Sequence, residues 1–374
     1  MSALSNQLLL QKTELVLNKL INLGEANGEQ DKQTARSEIK KGFIARDFGI
    51  KEWDWPQGVG LYGLQKLESF FDDGRYASFF KEWFESNIKR GLPSKNINTT
   101  APYLALIDYA ERIDNDSYRQ MCLKHAEWLI NELPKTKEGG FQHVTTAIGN
   151  RDGINLNESE LWIDTLFMAV LFLCKAGRLH RNSSYINEAA KQVLIHIKYL
   201  YEKKNGLFYH GWSFNRNNNY GGIFWCRGNA WFTYGILEII DACGDMLENG
   251  LKEFFTDTFK AQAAALKSLQ AKSGLWHTVL TDEESYEEVS GSCFFAAGML
   301  KGVKMGILPQ EYKACALKTI SALCENIDND GTVLNVSAGT GIGENAEHYK
   351  QIIKAPMAYG QSMALIALSE TLAQ

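Results

Sequence analysis

Two kinds of helical segment alternate along the chain, and this alternation restricts the possible folds more than any other feature. One kind has a charged face and an apolar face, and the other is rich in small residues and apolar on nearly every side. A helix with one polar face lies at a surface, whereas a helix that is apolar all round is buried. The amphipathic segments are 6–23, 75–90, 116–133, 183–203, 251–272 and 310–326. The apolar segments are 58–71, 101–112, 164–177, 228–243, 291–305 and 359–372.

Six such pairs, none able to bury its own apolar face alone, predict an all-α fold in which six outer helices surround six inner ones. We expect an (α/α)6 barrel that forms one domain over residues 1–374. An open solenoid has the same repeat pattern and is the alternative. The uniformly apolar inner segments, without polar capping repeats at either end, favour the closed ring. In such a ring the loops before the inner helices converge at one end, where a pocket would form.

Aromatic, amide and cationic residues are concentrated in the stretches that precede the apolar segments and in the first turns of those segments. Such residues suit a sugar, because tryptophan rings stack on the apolar faces of a pyranose while amides bind its hydroxyl groups. Each also has a structural explanation, since tryptophans fill cores, asparagines make turns and arginines form structural ion pairs. The candidate binding residues are Trp55, Asn96, Asn98, His143, His210, Trp225, Arg227 and Trp231.

Asp164 begins the third apolar segment, and burying an unpaired carboxylate is expensive. At the N-terminus of a helix, a carboxylate accepts hydrogen bonds from backbone N–H groups and is favoured by the helix dipole. Helix capping is therefore one explanation of this residue. Further along, the glycine-rich stretch 337–347 lacks the spacing of a phosphate-binding loop, and we expect it to be a loop over the mouth of the barrel.

Composition excludes several classes of partner. The formal net charge of −5 creates no field that would attract nucleic acid, and the longest clean apolar run, 166–174, is too short to cross a bilayer. Seven cysteines without a CxxC pair indicate reduced thiols, and the N-terminal stretch lacks a signal-peptide pattern, so we expect a cytoplasmic protein. We expect no metal and no nucleotide cofactor, because no HExxH, P-loop or GxGxxG motif is present.

Several stretches together resemble the unsaturated rhamnogalacturonyl hydrolases, glycoside hydrolase family 105. The resemblance implies the (α/α)6 barrel, which agrees with the repeat count, and an enzyme that needs neither a metal nor an organic cofactor. The matching stretches are "WDWPQGVGLYGL" (53–64), "NINTTAP" (96–102), "ELWIDTLFMA" (160–169), "GLFYHGW" (206–212), "WCRGNAWF" (225–232) and "EVSGSCFFAAGM" (288–299).

The resemblance also implies roles for individual residues. Asp164 matches the catalytic aspartate of the family, and Arg227 matches its pocket arginine. The pocket tryptophans match Trp225 and Trp231, and the pocket histidines match His210 and His143. Many members carry a second aspartate before the second inner helix, where this chain has the amides Asn96 and Asn98.

The implied substrate is a lyase-generated oligosaccharide that ends in a 4,5-unsaturated uronate, here expected to be unsaturated galacturonate linked to rhamnose. In the implied reaction the double bond is hydrated: a proton adds at C4, water adds at C5, and the resulting hemiketal opens and releases the next sugar. One carboxyl group, Asp164, can serve as acid and base. Burial would raise its pKa, whereas the N-terminus of the helix would lower it, so the sequence does not predict the net shift.

Three alternatives to this function are an unsaturated glucuronyl hydrolase of family 88, a sugar epimerase that uses His143, His210 and His277, and a barrel that binds carbohydrate without catalysis. We expect a monomer or a weak homodimer.

Overall fold

The computed structural model describes residues 4–24 and 49–374, so part of the predicted domain of 1–374 lies outside the described residues. Six outer helices match the amphipathic segments: α1 (Asn6–Ile21), α3 (Ala77–Arg90), α6 (Asp116–Asn131), α8 (Ser183–Leu200), α10 (Asn249–Ser268) and α12 (Glu311–Glu325). Six inner helices match the apolar segments: α2 (Trp55–Phe71), α5 (Tyr103–Arg112), a π-helical turn (Leu166–Val170) continued by α7 (Leu171–Leu179), α9 (Cys226–Cys243), α11 (Val289–Lys304) and α14 (Ala358–Leu372).

The inner helices form a closed ring, so the open solenoid is excluded. Each inner helix contacts the next one along the chain, and the last, α14, packs against the first, α2. Ser362 of α14 donates a hydrogen bond to the carbonyl of Val59 across this junction (2.6 Å). The outer helix α1 packs on α14, so the first outer helix of the chain is the partner of the last inner helix.

Close approach between inner helices explains why their sequences are rich in small residues. A Cβ atom on Gly63 of α2 would lie 2.2 Å from the hydroxyl of Ser362 on α14. A Cβ atom on Gly58 would lie 2.4 Å from the backbone of Pro102. Larger residues at these positions would push the helices apart, so the ring diameter depends on glycine.

Short strands and two short helices form the loops between the long helices. The strands make antiparallel pairs: β1 (Thr145–Ala147) with β2 (Asn150–Asn155), β3 (Glu160–Trp162) with β6 (Gly211–Ser213), β4 (Tyr201–Glu202) with β5 (Leu207–Phe208), and β7 (Trp276–His277) with β8 (Glu287–Glu288). The short helices are α4 (Ile97–Thr100) and α13 (Ala346–Lys350). Within the described residues, no helix combines the length and the apolar character needed to cross a membrane.

Candidate active site

The pairing of β3 with β6 brings Asp164 next to His210. The register aligns Trp162 with Gly211, and the backbone N–H of Ile163 donates to the carbonyl of His210 (3.0 Å). The chain then turns into the third inner helix at Asp164. As a result, Nε2 of His210 lies 3.4 Å from Oδ2 of Asp164.

Asp164 does not cap its helix. Its carboxylate accepts no hydrogen bond from the backbone of the described residues, and Oδ2 is buried without a hydrogen-bond partner of ordinary geometry. The side chain is nevertheless 16% exposed, through an edge that faces the pocket. The π-helical turn at Leu166–Val170 follows directly, and such wide turns occur frequently at functional sites.

The charges around Asp164 oppose the effect of its burial. Burial raises the pKa of this carboxyl group, as expected from the sequence, but His210, His143 and Arg227 lower it by more. The net pKa of Asp164 is below the ordinary value of an aspartate in the protein without substrate. Asp164 is therefore ionised near neutral pH.

His143 lies on the same side of the pocket, stacked on Trp162 with ring centroids 4.3 Å apart. Its Nδ1 atom makes a hydrogen bond of 2.8 Å with the hydroxyl of Thr165. Burial lowers the pKa of His143 to about 3, so the ring is neutral at ordinary pH. Both rings line the pocket beside Asp164.

Two tryptophans form other parts of the wall. Trp55, the first residue of α2, stacks on Tyr359 with ring centroids 4.6 Å apart. Trp225, directly before α9, packs against His210 with ring centroids 4.4 Å apart, and its indole N–H has no partner among the described residues. Asn98 of α4 also lines the pocket.

Arg227 is wholly buried and holds the glycine-rich stretch. Its two terminal nitrogens donate to the carbonyls of Ser337 and Ala338, at 2.8 Å each, and its guanidinium lies 4.5 Å from the ring of Trp225. One terminal nitrogen lies 3.8 Å from Glu288, whereas Nε has no partner among the described residues. Both terminal nitrogens of Arg227 are therefore already bound to the backbone of this stretch and are not available for a paired hydrogen bond with a substrate carboxylate.

Two candidate residues lie behind the wall. Asn96 is buried, caps α4 and donates to the hydroxyl of Thr146 (3.0 Å). Trp231 is fully buried in the core, where its ring meets the edge of Trp55 with centroids 6.3 Å apart. His277, the third histidine of the epimerase alternative, makes a hydrogen bond to the carbonyl of Ser285 and does not line the pocket.

Sequence reasoning missed three parts of the site, two in the pocket wall and one, Tyr349, behind it. Trp162 precedes Asp164 by two residues in a matched stretch, and its spacing could have indicated a shared face. Tyr349, whose hydroxyl lies 2.9 Å from Nδ1 of His210, carries no signal in the sequence. The β1–β2 hairpin contributes Thr145, Ile148 and Asn155, whereas Gly339–Gly341 confirm the predicted loop over the mouth.

The pocket is small, open at one end and almost uncharged. It encloses about 190 Å³, below the roughly 300–1,000 Å³ typical of sites for drug-sized ligands. Among the described residues that line it, Asp164 is the one carboxylate and Arg227 the one permanent cation. Within the described residues, no three histidine, cysteine, aspartate or glutamate side chains are grouped so as to hold a metal. A helical ring with tryptophan walls around a single acid defines a class of carbohydrate-processing enzyme.

Comparison with known proteins identifies the family within this class. The sequence profile of Glycosyl Hydrolase Family 88 matches residues 29–374, and the chain belongs to this family. The chain is 30% identical to the unsaturated rhamnogalacturonyl hydrolase YesR of Bacillus subtilis, over 89% of this chain and 93% of that protein. It is 29% identical to an unsaturated 3S-rhamnoglycuronyl hydrolase of an Alteromonas species, over 85% of this chain and 77% of that protein.

Solved structures agree with this assignment. A crystal structure from Salmonella enterica, described as a possible member of the GH105 family, superimposes with a TM-score of 0.89 at 33% identity, covering 99% of this chain and 95% of that one. The resemblance to family 105 is thereby confirmed. The protein is a glycosidase of the kind that hydrolyses unsaturated uronyl sugars, which favours the hydrolase over the epimerase and the barrel without catalysis.

Proposed function

We propose that the protein removes a terminal unsaturated galacturonate from rhamnose by hydrating the C4=C5 double bond, with Asp164 as the acid and base. One observation carries the proposal: a pocket of about 190 Å³ contains one carboxylate. Glycosidases that attack the anomeric carbon use two carboxylates on opposite sides of the bond. A single carboxyl group suffices for hydration, because it gives a proton to C4 and then takes one from the water that adds to C5.

The substrate carboxylate would be bound by donors that have no other partner. The indole N–H of Trp225 and Nε of Arg227 are buried donors in residues that line the pocket, and neither has a hydrogen-bond partner among the described residues. Buried donors without partners are costly, and an arriving carboxylate would satisfy them. The stacked ring of Trp55 would lie against the sugar.

The rim of the pocket supports a neutral sugar next to the uronate. The β1–β2 hairpin contributes Thr145, Ile148 and Asn155, which carry no charge. Ile148 is 70% exposed, an unusual exposure for an isoleucine at the mouth of a pocket. The methyl group of a 6-deoxy sugar such as rhamnose would cover this side chain. A sulfate group would meet no cation from the four hairpin residues that line the pocket, which also include Thr146.

The test follows the ultraviolet absorbance of the double bond, which is conjugated to the carboxylate and disappears on hydration. Asp164→Asn keeps the size of the side chain but cannot give or take the proton. We expect at least a ~100-fold loss of turnover, the usual contribution of a general acid or base. Binding of the unsaturated disaccharide, measured by calorimetry, should persist.

The control is Asp257→Asn, which removes an exposed carboxylate on the outer helix α10 and should leave turnover unchanged. Near-normal turnover by Asp164→Asn would contradict the proposal. Wild-type turnover of an unsaturated glucuronyl substrate, but not of the galacturonyl one, would assign the protein to the neighbouring specificity.

We also propose that the protein acts in the cytoplasm on imported products of a lyase. The seven cysteines are all free and buried, which suits a compartment that keeps thiols reduced. Recovery of the native protein from the periplasm or the medium in cell fractionation would contradict this location.

A further inference from the structure

The hydroxyl group of Tyr349 contacts both His210, the neighbour of Asp164, and the glycine-rich stretch 337–347. Tyr349 lies on the short helix α13 and is fully buried, with its ring 5.8 Å from that of Trp225. Its oxygen accepts a hydrogen bond from the backbone N–H of Gly343 (3.0 Å). The same oxygen lies 2.9 Å from Nδ1 of His210.

The hydrogen bonds from Gly343 to Tyr349 and between Tyr349 and His210 determine which ring nitrogen of His210 carries the proton. The N–H of Gly343 can only donate, so the oxygen of Tyr349 accepts from it. The single proton of the hydroxyl then needs an acceptor, and Nδ1 of His210 is in position. Burial raises the pKa of Tyr349, with a further contribution from the charge of Asp164, so this proton is retained.

The opposite arrangement carries two penalties. If Nδ1 carried the proton and donated to Tyr349, the buried hydroxyl proton would have no acceptor among the described residues. The lone pair on Nε2 would also point at the Asp164 carboxylate, 3.4 Å away. A buried donor without a partner costs about 1–3 kcal/mol. The favoured neutral form therefore has its proton on Nε2.

We infer that Tyr349 is a positioning residue that fixes His210 in the Nε2–H tautomer, so that His210 donates to Oδ2 of Asp164. This inference deepens the proposed function, since it rests on the role assigned there to Asp164. The donor on Oδ2 orients the carboxyl group and leaves the other oxygen free at the pocket.

Helix α13 also ties the pocket wall to this arrangement. His348, the residue before Tyr349, makes a hydrogen bond of 2.7 Å with the hydroxyl of Thr340, which lines the pocket. Tyr349 accepts a hydrogen bond from Gly343, which follows Thr340 by three residues in the same stretch. The short helix α13 therefore positions the glycine-rich part of the pocket wall and also fixes the tautomer of His210, which lies next to Asp164.

The decisive measurement is the tautomer of His210, read from the nitrogen shifts of protein labelled with ¹⁵N-histidine at mildly alkaline pH, where an ordinary imidazole is neutral. His210→Gln identifies the resonances. We expect the proton on Nε2 in the wild type and a mixture of tautomers in Tyr349→Phe, which keeps the ring against Trp225. A wild-type proton on Nδ1, or an unchanged spectrum in Tyr349→Phe, would overturn the inference.

Kinetics give a second readout. Tyr349→Phe should lower kcat by about 10- to 100-fold, the value of one hydrogen bond to a charged group, with a smaller change in KM. Tyr312→Phe, on the outer helix α12 away from the pocket, is the matched control and should leave kcat unchanged. The spectrum does not depend on turnover, so a wrong tautomer and a wrong proposed reaction give different results.

Discussion

At Asp164, the proposed reaction needs a proton on a carboxyl group that its surroundings keep ionised. His210, His143 and Arg227 together outweigh the effect of burial and lower the pKa. A bound uronate brings its own negative charge close to Asp164 and Arg227, which both line the pocket. This charge disfavours the ionised form of Asp164, and the bound sugar displaces water from the pocket. Both changes raise the pKa of Asp164. Bound substrate thus favours the protonated form of Asp164, which is the form that donates a proton to C4.

The pH profiles of kcat/KM and kcat should therefore differ. The acid must be protonated, so activity falls about tenfold per pH unit above its pKa. The fall of kcat/KM reports the free enzyme, where the pKa of Asp164 is low, and should begin at a lower pH. The fall of kcat reports the complex and should begin at a higher pH. Profiles measured with the unsaturated disaccharide check this, and coincident profiles would contradict it.

Among the elements, the helices could be predicted and the loops that build the site could not. The 3.6-residue spacing of apolar residues is local, so it indicates all twelve long helices within a few residues. The pairing of Glu160–Trp162 with Gly211–Ser213 joins positions about fifty residues apart, and nothing in either stretch indicates its partner or register. The contact of Tyr349 with His210 depends on the closed ring in the same way.

The β1–β2 hairpin allows a test of the leaving sugar. Ile148→Thr keeps the branch at Cβ but replaces the ethyl group by a hydroxyl. We expect the wild type to favour a 6-deoxy sugar over its hydroxymethyl counterpart next to the uronate. In the variant this preference, measured as a ratio of kcat/KM values, should fall about fourfold, since one buried CH₂ contributes ~0.8 kcal/mol.

Ile154→Thr is the matched control for this experiment. Ile154 lies on the same hairpin and is 45% exposed, but it does not line the pocket. Its substitution should leave the ratio unchanged. Equal effects of the two substitutions would show that the hairpin does not select the leaving sugar through Ile148.

In the whole molecule, the end of the ring opposite the pocket contains a cluster of charged side chains centred on the buried Glu238. Glu238 of α9 contacts Lys66 (2.5 Å), Lys301 and the hydroxyl of Tyr62. Burial alone would raise the pKa of Glu238, but the two lysines outweigh it and hold the pKa well below the ordinary value. These contacts join three inner helices, α2, α9 and α11, so they stabilise the ring far from the chemistry.

Glu238→Gln should therefore lower the free energy of unfolding by about 3 kcal/mol, because the buried Lys301 loses its closer carboxylate partner and keeps only the more exposed Asp241 (3.2 Å). Urea denaturation measures this loss, and kcat at moderate temperature should change little. Asp257→Asn removes an exposed partner of Lys260 (3.1 Å) and should cost less than about 1 kcal/mol. Equal losses in the two variants would show that the buried cluster does not stabilise the ring.

The packing of α1 on α14 has a consequence for synthesis on the ribosome. These helices are neighbours in space, but their first residues, Asn6 and Ala358, are separated by nearly the whole chain. At roughly 5–20 residues per second, α1 emerges about 20–70 s before its partner. Leu9, Val16 and Leu20, which are buried in the finished ring, have no α14 to cover them in that interval. The nascent chain therefore exposes an apolar stripe of α1, which chaperones can bind, until α14 leaves the ribosome.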